Sequence, residues 1–285
     1  MIRNGIIIRM PPLYRWRDIY METYDIPWLG LAFACGLLLI PISVSQCWKL
    51  DIIRETVIAT ARMCVQLVLI ALFLEYLFNL NSPLINICWI SVMVLFAGSS
   101  ITQTCKLNLI RVFPRVALSL LVSLFFILFY MRLLVIRGYG LFEAKYLIVL
   151  GGMLLGNSLR GTIVGLSSFY DSIRKEEKIY LYKLSLGARQ FEALRPYLQH
   201  SMTTALKPTL ATMATMGIVF LPGMMTGQVL GGSSPLLAIK YQIMIMIAIY
   251  LVITISIMFC IFLLRRLSFN DYGVLNHSIF KGSPR

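Results

Sequence analysis

The stretch that decides the fold is LPGMMTGQVLGG, residues 221–232, which lies within an uncharged run from Pro208 to Ile239. Such a run is long enough to cross a bilayer, since a transmembrane helix needs about 20 apolar residues. Its centre nevertheless contains Pro222 and several glycines, which interrupt or kink helices. Backbone groups freed within hydrocarbon must be satisfied by protein or by water in a cavity. The pattern therefore predicts a broken membrane helix, which is either a binding or gating element or a simple kink.

The composition of the whole chain is typical of a polytopic membrane protein. Of its 285 residues 59% are hydrophobic and only 13% are charged, with a mean hydropathy of +0.81; soluble domains carry about 25% charged residues. The net charge of +14 fits the enrichment of Lys and Arg in cytoplasmic loops. No aromatic-studded basic tract indicates a nucleic-acid surface. The six cysteines form no CxxC pair and there are two histidines, so no residue is predicted as a metal ligand.

Apolar segments predict an all-α fold of about seven transmembrane helices. We expect them at about 26–48, 56–78, 83–100, 116–131, 146–167, 208–239 (the broken run) and 241–264. The positive-inside rule places the N-terminus outside and the C-terminus in the cytoplasm, because the cytoplasmic segments then hold the larger share of Lys and Arg. The predicted organisation is an extracytoplasmic arm (1–25), a transmembrane domain (26–267) and a polar, loosely ordered cytoplasmic tail (268–285).

The fifth predicted span contains GGMLLGNSLRG, residues 151–161. Its glycines form two pairs spaced four residues apart: Gly152 with Gly156, and Gly161 with Gly165. Small residues at this spacing let helix backbones approach closely. Asn157 and Arg160 lie near the same face, and a charge buried in a membrane usually faces a cavity or a partner. Alternatively, Arg160 lies close enough to the interface for its guanidinium to reach water.

The largest polar segment, residues 168–207, lies between the fifth and sixth predicted spans. Apolar residues recur through it at helical spacing, from Ile173 to Leu198, and Gly187 predicts a turn between two short helices. We therefore predict a structured amphipathic cytoplasmic loop with one face available to a partner. The alternative is an amphipathic helix that rests on lipid.

Enzymatic chemistry has no recognisable motif in the chain. There is no GxxxxGK[ST] phosphate loop, no HExxH, and no GxSxG before a plausible strand–helix turn. The spans also lack the acidic relay of a proton-coupled carrier, apart from Glu75 near one end. We predict a protein that is not an enzyme and that takes its energy from elsewhere, with the structured loop as the place where an external motor acts.

Four segments together resemble the FetB-type family of ABC transporter permeases. They are RMCVQ (62–66), GMLLGNS (152–158), KLSLGARQFEAL (183–194) and LPGMMTGQVLGGSSPLLAIKYQI (221–243). The resemblance covers about Ile26 to Arg266 in the right order, and the last segment is the most specific. The family includes bacterial permeases linked to iron export and plant proteins linked to aluminium tolerance.

The resemblance implies a permease subunit in a lipid membrane, the inner (plasma) membrane if the source is bacterial. Such a subunit forms a homodimer, binds no cofactor itself and associates with a separate cytoplasmic ATPase that holds ATP. The residues predicted to dock the ATPase are Leu184, Leu186, Gly187, Ala188 and Arg189. The candidates for the translocation route are Asn157, Arg160, Pro222, Gly223, Met224, Met225 and Gln228. Arg62 and Gln66 are interpreted as structural polar residues of the second span.

The resemblance implies export of a metal ion, of the iron type, or of a metal-related solute. The thioethers of Met224 and Met225 suit Cu(I) better than iron, and methionine is more often simple packing. An organic or anionic solute handled by Arg160, Asn157 and Gln228 is an alternative, as is a membrane sensor or scaffold without transport. Two features depart from the family pattern: Arg160 stands where a neutral residue is usual, and the N-terminal arm is longer.

Overall fold

The computed structural model describes residues 27–80, 82–135, 144–270 and 272–281, and the regular elements in those ranges are all helical. The helices are α1 (Trp28–Gly36), α2 (Leu39–Cys47), α3 (Ile53–Leu80), α4 (Pro83–Thr104), α5 (Leu109–Tyr130), α6 (Ala144–Lys175), α7 (Glu177–Ser185), α8 (Gln190–Thr215), α9 (Gly223–Leu230) and α10 (Pro235–Ser268). A π-helical turn, Met131–Val135, extends α5, and a 3₁₀ turn, His277–Ile279, lies in the tail. The predicted N-terminal arm lies outside the described residues.

Within the described ranges, six segments are long and apolar enough to cross a membrane. They are Leu29–Cys47 (α1 with α2), Ile53–Leu80, Pro83–Thr104, Leu109–Val135, Tyr146–Lys175 and Pro235–Ser268. In the most apolar stretch of α6, and in that of α10, half of the residues are buried. In the corresponding stretch of α3 none is buried. Helices α6 and α10 are therefore the best covered of these spans.

The run predicted as a broken sixth span folds as several pieces. Helix α8 ends at Thr215, and Gly217 follows with φ +85°, a left-handed conformation that favours glycine. Pro222 then precedes the short helix α9 and its carbonyl accepts the first helical hydrogen bond, from the amide of Thr226 at 2.9 Å. Pro222 thus starts a helix, where its missing N–H costs nothing, instead of kinking one.

Several predicted boundaries were wrong because charged side chains at helix ends were assigned to loops. The fifth span continues to Lys175, so α6 includes charged residues expected in the loop. The fourth begins at Leu109, where the side chain of Asn108 accepts a hydrogen bond from the amide of Ile110 and caps the helix. The last span begins at Pro235, so Lys240 lies within α10 and not before it.

The described chain divides into two units, each with most of its residue contacts within itself, and the two are described separately. One contains the residues up to Ala71 together with Leu221–Gln242; the other contains Leu72–Phe220 and the residues from Ile243 onward. In the second unit α6 packs on α4, on α5 and on α8. Close approach of α4 and α5 is possible because Gly98 faces Ala117, whose Cβ would lie 3.3 Å from a Cβ at the glycine.

Buried serines and glycines hold α6 against α10 in the second unit. The hydroxyl of Ser158 donates to Ser256 Oγ at 2.8 Å, and Ser256 pairs with Ser123 of α5 at 2.6 Å. A Cβ at Gly161 would lie 2.5 Å from Cγ2 of Ile253, which leaves no room for a side chain. The predicted close approach at the glycine pair 161 and 165 is thus present, whereas Gly156 has nothing within 4 Å of such a Cβ.

The tail was expected to be loosely ordered, and that expectation was wrong for its described part. Phe269, Leu275 and Ile279 are buried, and the backbone amide of Asn276 donates to the carbonyl of Ser268 at 2.7 Å. The tail also reaches the α4–α5 turn, where the amide of Lys281 donates to the carbonyl of Lys106 at 2.8 Å. The tail therefore packs on the helices, with the ring of Phe269 5.7 Å from that of Tyr180 and the ring of Phe280 5.6 Å from that of Tyr170.

Candidate functional site

Helix α7 and the turn that follows it have two faces: an inner face that packs against the rest of the unit and an outer face that is exposed. The inner face carries Tyr180, which is fully buried and whose hydroxyl donates to the carbonyl of Gly273 in the tail at 2.7 Å. The ring of Tyr180 also lies 5.7 Å from that of Phe269 and 6.4 Å from that of Tyr197 on α8. These contacts fasten α7 to the tail and to α8, so the turn has a fixed position in this unit.

The buried tyrosines stay protonated at physiological pH. Burial raises the pKa of Tyr180, and burial followed by the neighbouring Glu176 carboxylate raises the pKa of Tyr197 to about 12. Both groups are uncharged anchors, since loss of a proton within the apolar interior would be costly. Lys183 lies 5.8 Å from the centre of the Tyr197 ring, a cation–π arrangement that links α7 to α8.

The outer face of α7 consists of Ile179, Tyr182 and Leu186, which are spaced three and four residues apart. They are 52%, 64% and 69% exposed, and Phe191 at the start of α8 is exposed as well. Of the three, Leu186 is among the residues predicted from the sequence to dock an ATPase, whereas Ile179 and Tyr182 are not, although their spacing on α7 is that of one helical face. Exposed apolar side chains grouped in this way are typical of a protein or membrane contact.

The residues predicted to dock an ATPase are brought together in this turn. Gly187 has φ +87°, the left-handed conformation that ends a helix, and the amide of Arg189 donates to the carboxylate of Glu192 at 3.0 Å, which caps α8. Leu184 is part-buried on the inner face, 2.9 Å from where a Cβ of Gly273 would lie. Leu186 and Arg189 are exposed, so the predicted set divides into anchoring and outward residues.

Asn157 and Arg160 lie together in a cleft of 260 Å³ between α6, α8 and α10. The amide nitrogen of Asn157 donates to the carbonyl of Met153 at 2.9 Å, which orients its side chain, and Arg160 is exposed. Thr209 and Thr212 of α8 add hydroxyl groups to the cleft. The cleft therefore offers a cation, an amide and two hydroxyls against otherwise apolar walls, the usual design of a site for a polar solute.

The other candidates for the translocation route belong to the first compact unit. Met224, Met225 and Gln228 are part-buried residues of α9, and Gly223 is its exposed first residue. Within the described residues the side-chain carbonyl of Gln228 is buried and has no hydrogen-bond partner. Arg62 and Gln66 are exposed on α3.

Metal-ligating side chains do not converge in the part of the chain that the structure describes. No group of three or more His, Cys, Asp or Glu residues there could hold a metal ion. The six cysteines are free, and most of them are exposed. The cleft around Arg160 and the α7–α8 turn are therefore the two candidate functional sites.

The six apolar helical spans of the described residues define an integral, multi-pass membrane protein. Residues 28–269 match the family model described as "Uncharacterised protein family (UPF0014)", and the chain belongs to that family. The resemblance to FetB-type permeases is confirmed by this match and by the individual relatives. No solved structure matches the chain.

Three curated relatives illustrate the range of the family. "UPF0014 membrane protein slr1647" of Synechocystis is 29% identical over 88% of this chain and 97% of the relative. "Protein ALUMINUM SENSITIVE 3" of Arabidopsis thaliana is 31% identical over 82% of each chain. "Probable iron export permease protein FetB" of Escherichia coli is 26% identical over 88% of this chain and 95% of the relative.

Proposed function

We propose that this chain is the permease subunit of an ABC transporter and is driven by a separate ATPase subunit. The observation that carries the proposal is the α7–Gly187–α8 turn, which is anchored by Tyr180 on one side and presents exposed apolar residues on the other. A rigid turn of this kind can pass the movement of a bound motor to α6 and α8, whereas a flexible loop would absorb it. The dimer and the ATPase belong to the same proposal.

The directions of the helices support an odd number of crossings. Gly161 and Gly165 of α6 contact Ile253 and Ile257 of α10 in the same order, so the two helices run parallel. The hydroxyl of Ser201 donates to the carbonyl of Gly165, whereas later residues of α8 line the cleft around Arg160, so α8 runs antiparallel to both. We propose that α8 returns the chain across the membrane between α6 and α10, which brings the number of crossings to seven.

We propose that the N-terminus lies outside and the α7–α8 turn lies in the cytoplasm. The basic residues of the turn and those that end α10 then lie on the cytoplasmic side, as the positive-inside rule requires. The domain boundaries proposed from the sequence, an arm at 1–25, a permease domain at 26–267 and a tail at 268–285, are retained. The tail is now a packed element beside α7.

The transported solute is proposed to be metal-related, by analogy with the relative named as a probable iron export permease. A second candidate, an organic or anionic solute, is favoured by the cleft. Arg160 and Asn157 offer donors that suit carboxylate or phosphate oxygens. A metal chelate carried by anionic ligands would satisfy both candidates.

The proposal is tested by co-expressing the full-length chain with an ABC ATPase encoded in the same genome and purifying it through a tag on this chain. We expect the ATPase to remain bound through size-exclusion chromatography and its hydrolysis of ATP to change when the complex forms. A chain that retains no ATPase from its own genome would overturn the assignment and favour a sensor or scaffold.

Replacing Arg160 by glutamine should weaken transport of an anionic solute by about tenfold, the loss expected for one charge-assisted hydrogen bond. Arg160→Lys should retain part of the activity because it keeps the charge. The measurement is the concentration dependence of ATP-driven uptake into inverted vesicles. Lys207→Gln is the matched control, since Lys207 is exposed on α8 and does not line the cleft. Equal effects of the two glutamine variants would remove Arg160 from the route.

A further inference from the structure

A second polar cavity lies at the C-terminal end of α6, whereas the Arg160 cleft lies near the middle of that helix. It has a volume of 450 Å³ and lies between the end of α4, the last two turns of α6 and the tail. This volume falls within the roughly 300–1,000 Å³ typical of ligand sites. Nothing in the transport mechanism proposed above uses this space, which we call the basic cavity.

Three cationic side chains line the basic cavity: Lys106, Arg174 and Lys281. Asp171 is the one carboxylate in the lining, and His277 is the remaining titratable nitrogen base. Among the described residues, the one contact within 4.0 Å between a basic and an acidic side chain joins Nε2 of His277 to Oε1 of Glu177, at 3.6 Å, and it is an ion pair only when the imidazole is protonated. The three cations and Asp171 therefore lack ion-pair partners in the described chain, and positive charge around the cavity is in excess.

The fold holds these cations together instead of letting them separate. The amide of Lys281 donates to the carbonyl of Lys106 at 2.8 Å, so the backbones of two lysines are joined directly. The guanidinium of Arg174 lies 4.8 Å from the centre of the Phe280 ring, the residue before Lys281. Like charges held close together repel each other. An anion bound between the three cations would attract each of them and offset this repulsion.

Thr104 and Ser167 also line the cavity, and the hydroxyl of Ser167 donates to Sγ of Cys105 at 3.5 Å. Lysine and arginine side chains with hydroxyl donors are the groups that bind phosphate oxygens in proteins. The cavity also lies where an apolar span gives way to charged sequence, the level at which basic pockets between helices bind lipid headgroups. A phosphoryl group, on a lipid or in solution, matches the charge, the donors and the position.

We propose that the basic cavity binds a phosphoryl anion and that the bound anion fastens the tail to α4 and α6. Two further contacts join the tail to α7: the hydroxyl of Tyr180 donates to the carbonyl of Gly273, and His277 lies 3.6 Å from the carboxylate of Glu177. Occupancy of the cavity therefore stabilises the same tail that anchors α7. The inference does not rest on the proposed transport function, because binding is a property of this chain alone.

The experiment uses the purified full-length chain in nanodiscs and two variants of equal charge change. The cavity pair is Lys106→Gln with Lys281→Gln; the control pair is Lys175→Gln with Lys178→Gln, which are exposed and outside the lining. In phosphatidylcholine nanodiscs, pyrophosphate binding is measured by calorimetry. In nanodiscs that contain phosphatidylglycerol, without pyrophosphate, the midpoint of thermal unfolding is measured.

A soluble ligand is indicated if the unaltered chain and the control pair bind pyrophosphate while the cavity pair binds it at least about tenfold more weakly. A lipid headgroup is indicated if pyrophosphate does not bind but phosphatidylglycerol raises the unfolding midpoint of the unaltered chain and the control pair, and not that of the cavity pair. Either result supports the site. Absence of both effects, or equal loss in the two pairs, overturns it.

Discussion

Replacing Leu186 by glutamate is expected to separate this chain from the proposed ATPase while leaving the membrane fold intact. Leu186 is 69% exposed beside the left-handed Gly187, so its side chain supports little of the fold. Buried in an interface, an apolar anchor at such a position contributes about 2 kcal/mol or more, and a charge there lacks a partner. The affinity for the ATPase should fall at least about thirtyfold.

The measurement is binding of the purified ATPase to this chain in nanodiscs, followed by transport in proteoliposomes. Ile110→Glu is the matched control, because Ile110 is 88% exposed at the start of α5 and lies outside the α7–α8 turn. We expect the control to bind normally and the unfolding temperature of both variants to match that of the unaltered chain. Normal ATPase binding by Leu186→Glu would exclude the turn as the docking site.

Adding a single methyl group at Gly161 is expected to destabilise the bundle. A Cβ there would lie 2.5 Å from Cγ2 and 3.3 Å from Cβ of Ile253 on α10. The Cβ of Ile253 is fixed to the backbone, and Cγ2 can move only if Ile253 leaves the χ1 rotamer that β-branched residues prefer in helices. The helices must separate, which disturbs the nearby hydrogen bonds among Ser158, Ser256 and Ser123. Overpacking of this kind costs about 1–3 kcal/mol, seen as a lower unfolding temperature in detergent.

The control for this prediction lies one turn and a half earlier on the same helix. Gly156→Ala meets no atom within 4 Å, so it should be neutral or stabilising by up to about 1 kcal/mol, since alanine favours helices over glycine. Ile253→Ala removes the two carbons that a Cβ at residue 161 would meet most closely. The loss of stability in the double variant Gly161→Ala/Ile253→Ala should therefore be smaller than the sum of the losses in the two single variants. Strict additivity would mean that the contact does not limit helix packing.

The sequence was sufficient for the class of fold because apolar length alone specifies membrane helices. It also located Gly187 and the glycine pair 161 and 165, since backbone conformation and close approach both leave a residue-type signal. Helix ends were less well predicted, because Lys, Arg and Asp are tolerated in the last turns of a membrane helix, where their side chains reach water. The segment at 221–232 was read as one interrupted helix, and only the structure shows that Pro222 begins a separate one.

The basic cavity and the packed tail were beyond the reach of sequence reasoning. Lys106 and Lys281 are far apart in the chain, and nothing in either local segment indicates that their backbones meet. The outer face of α7 was partly missed for a different reason. Ile179 and Tyr182 share a helical face with Leu186, but the direction of that face depends on Tyr180 being buried against the tail.

The central claim, that this chain is a permease driven by a separate ATPase, is tested most directly by flux in proteoliposomes. Ferric iron, supplied alone or as its citrate complex, is measured across membranes that contain this chain with and without the ATPase. We predict movement that requires both the ATPase and ATP hydrolysis, and that stops with a non-hydrolysable analogue. Flux of equal rate without the ATPase would contradict the claim. A complex that hydrolyses ATP and moves neither form of iron would contradict the metal-related solute and leave the anionic one.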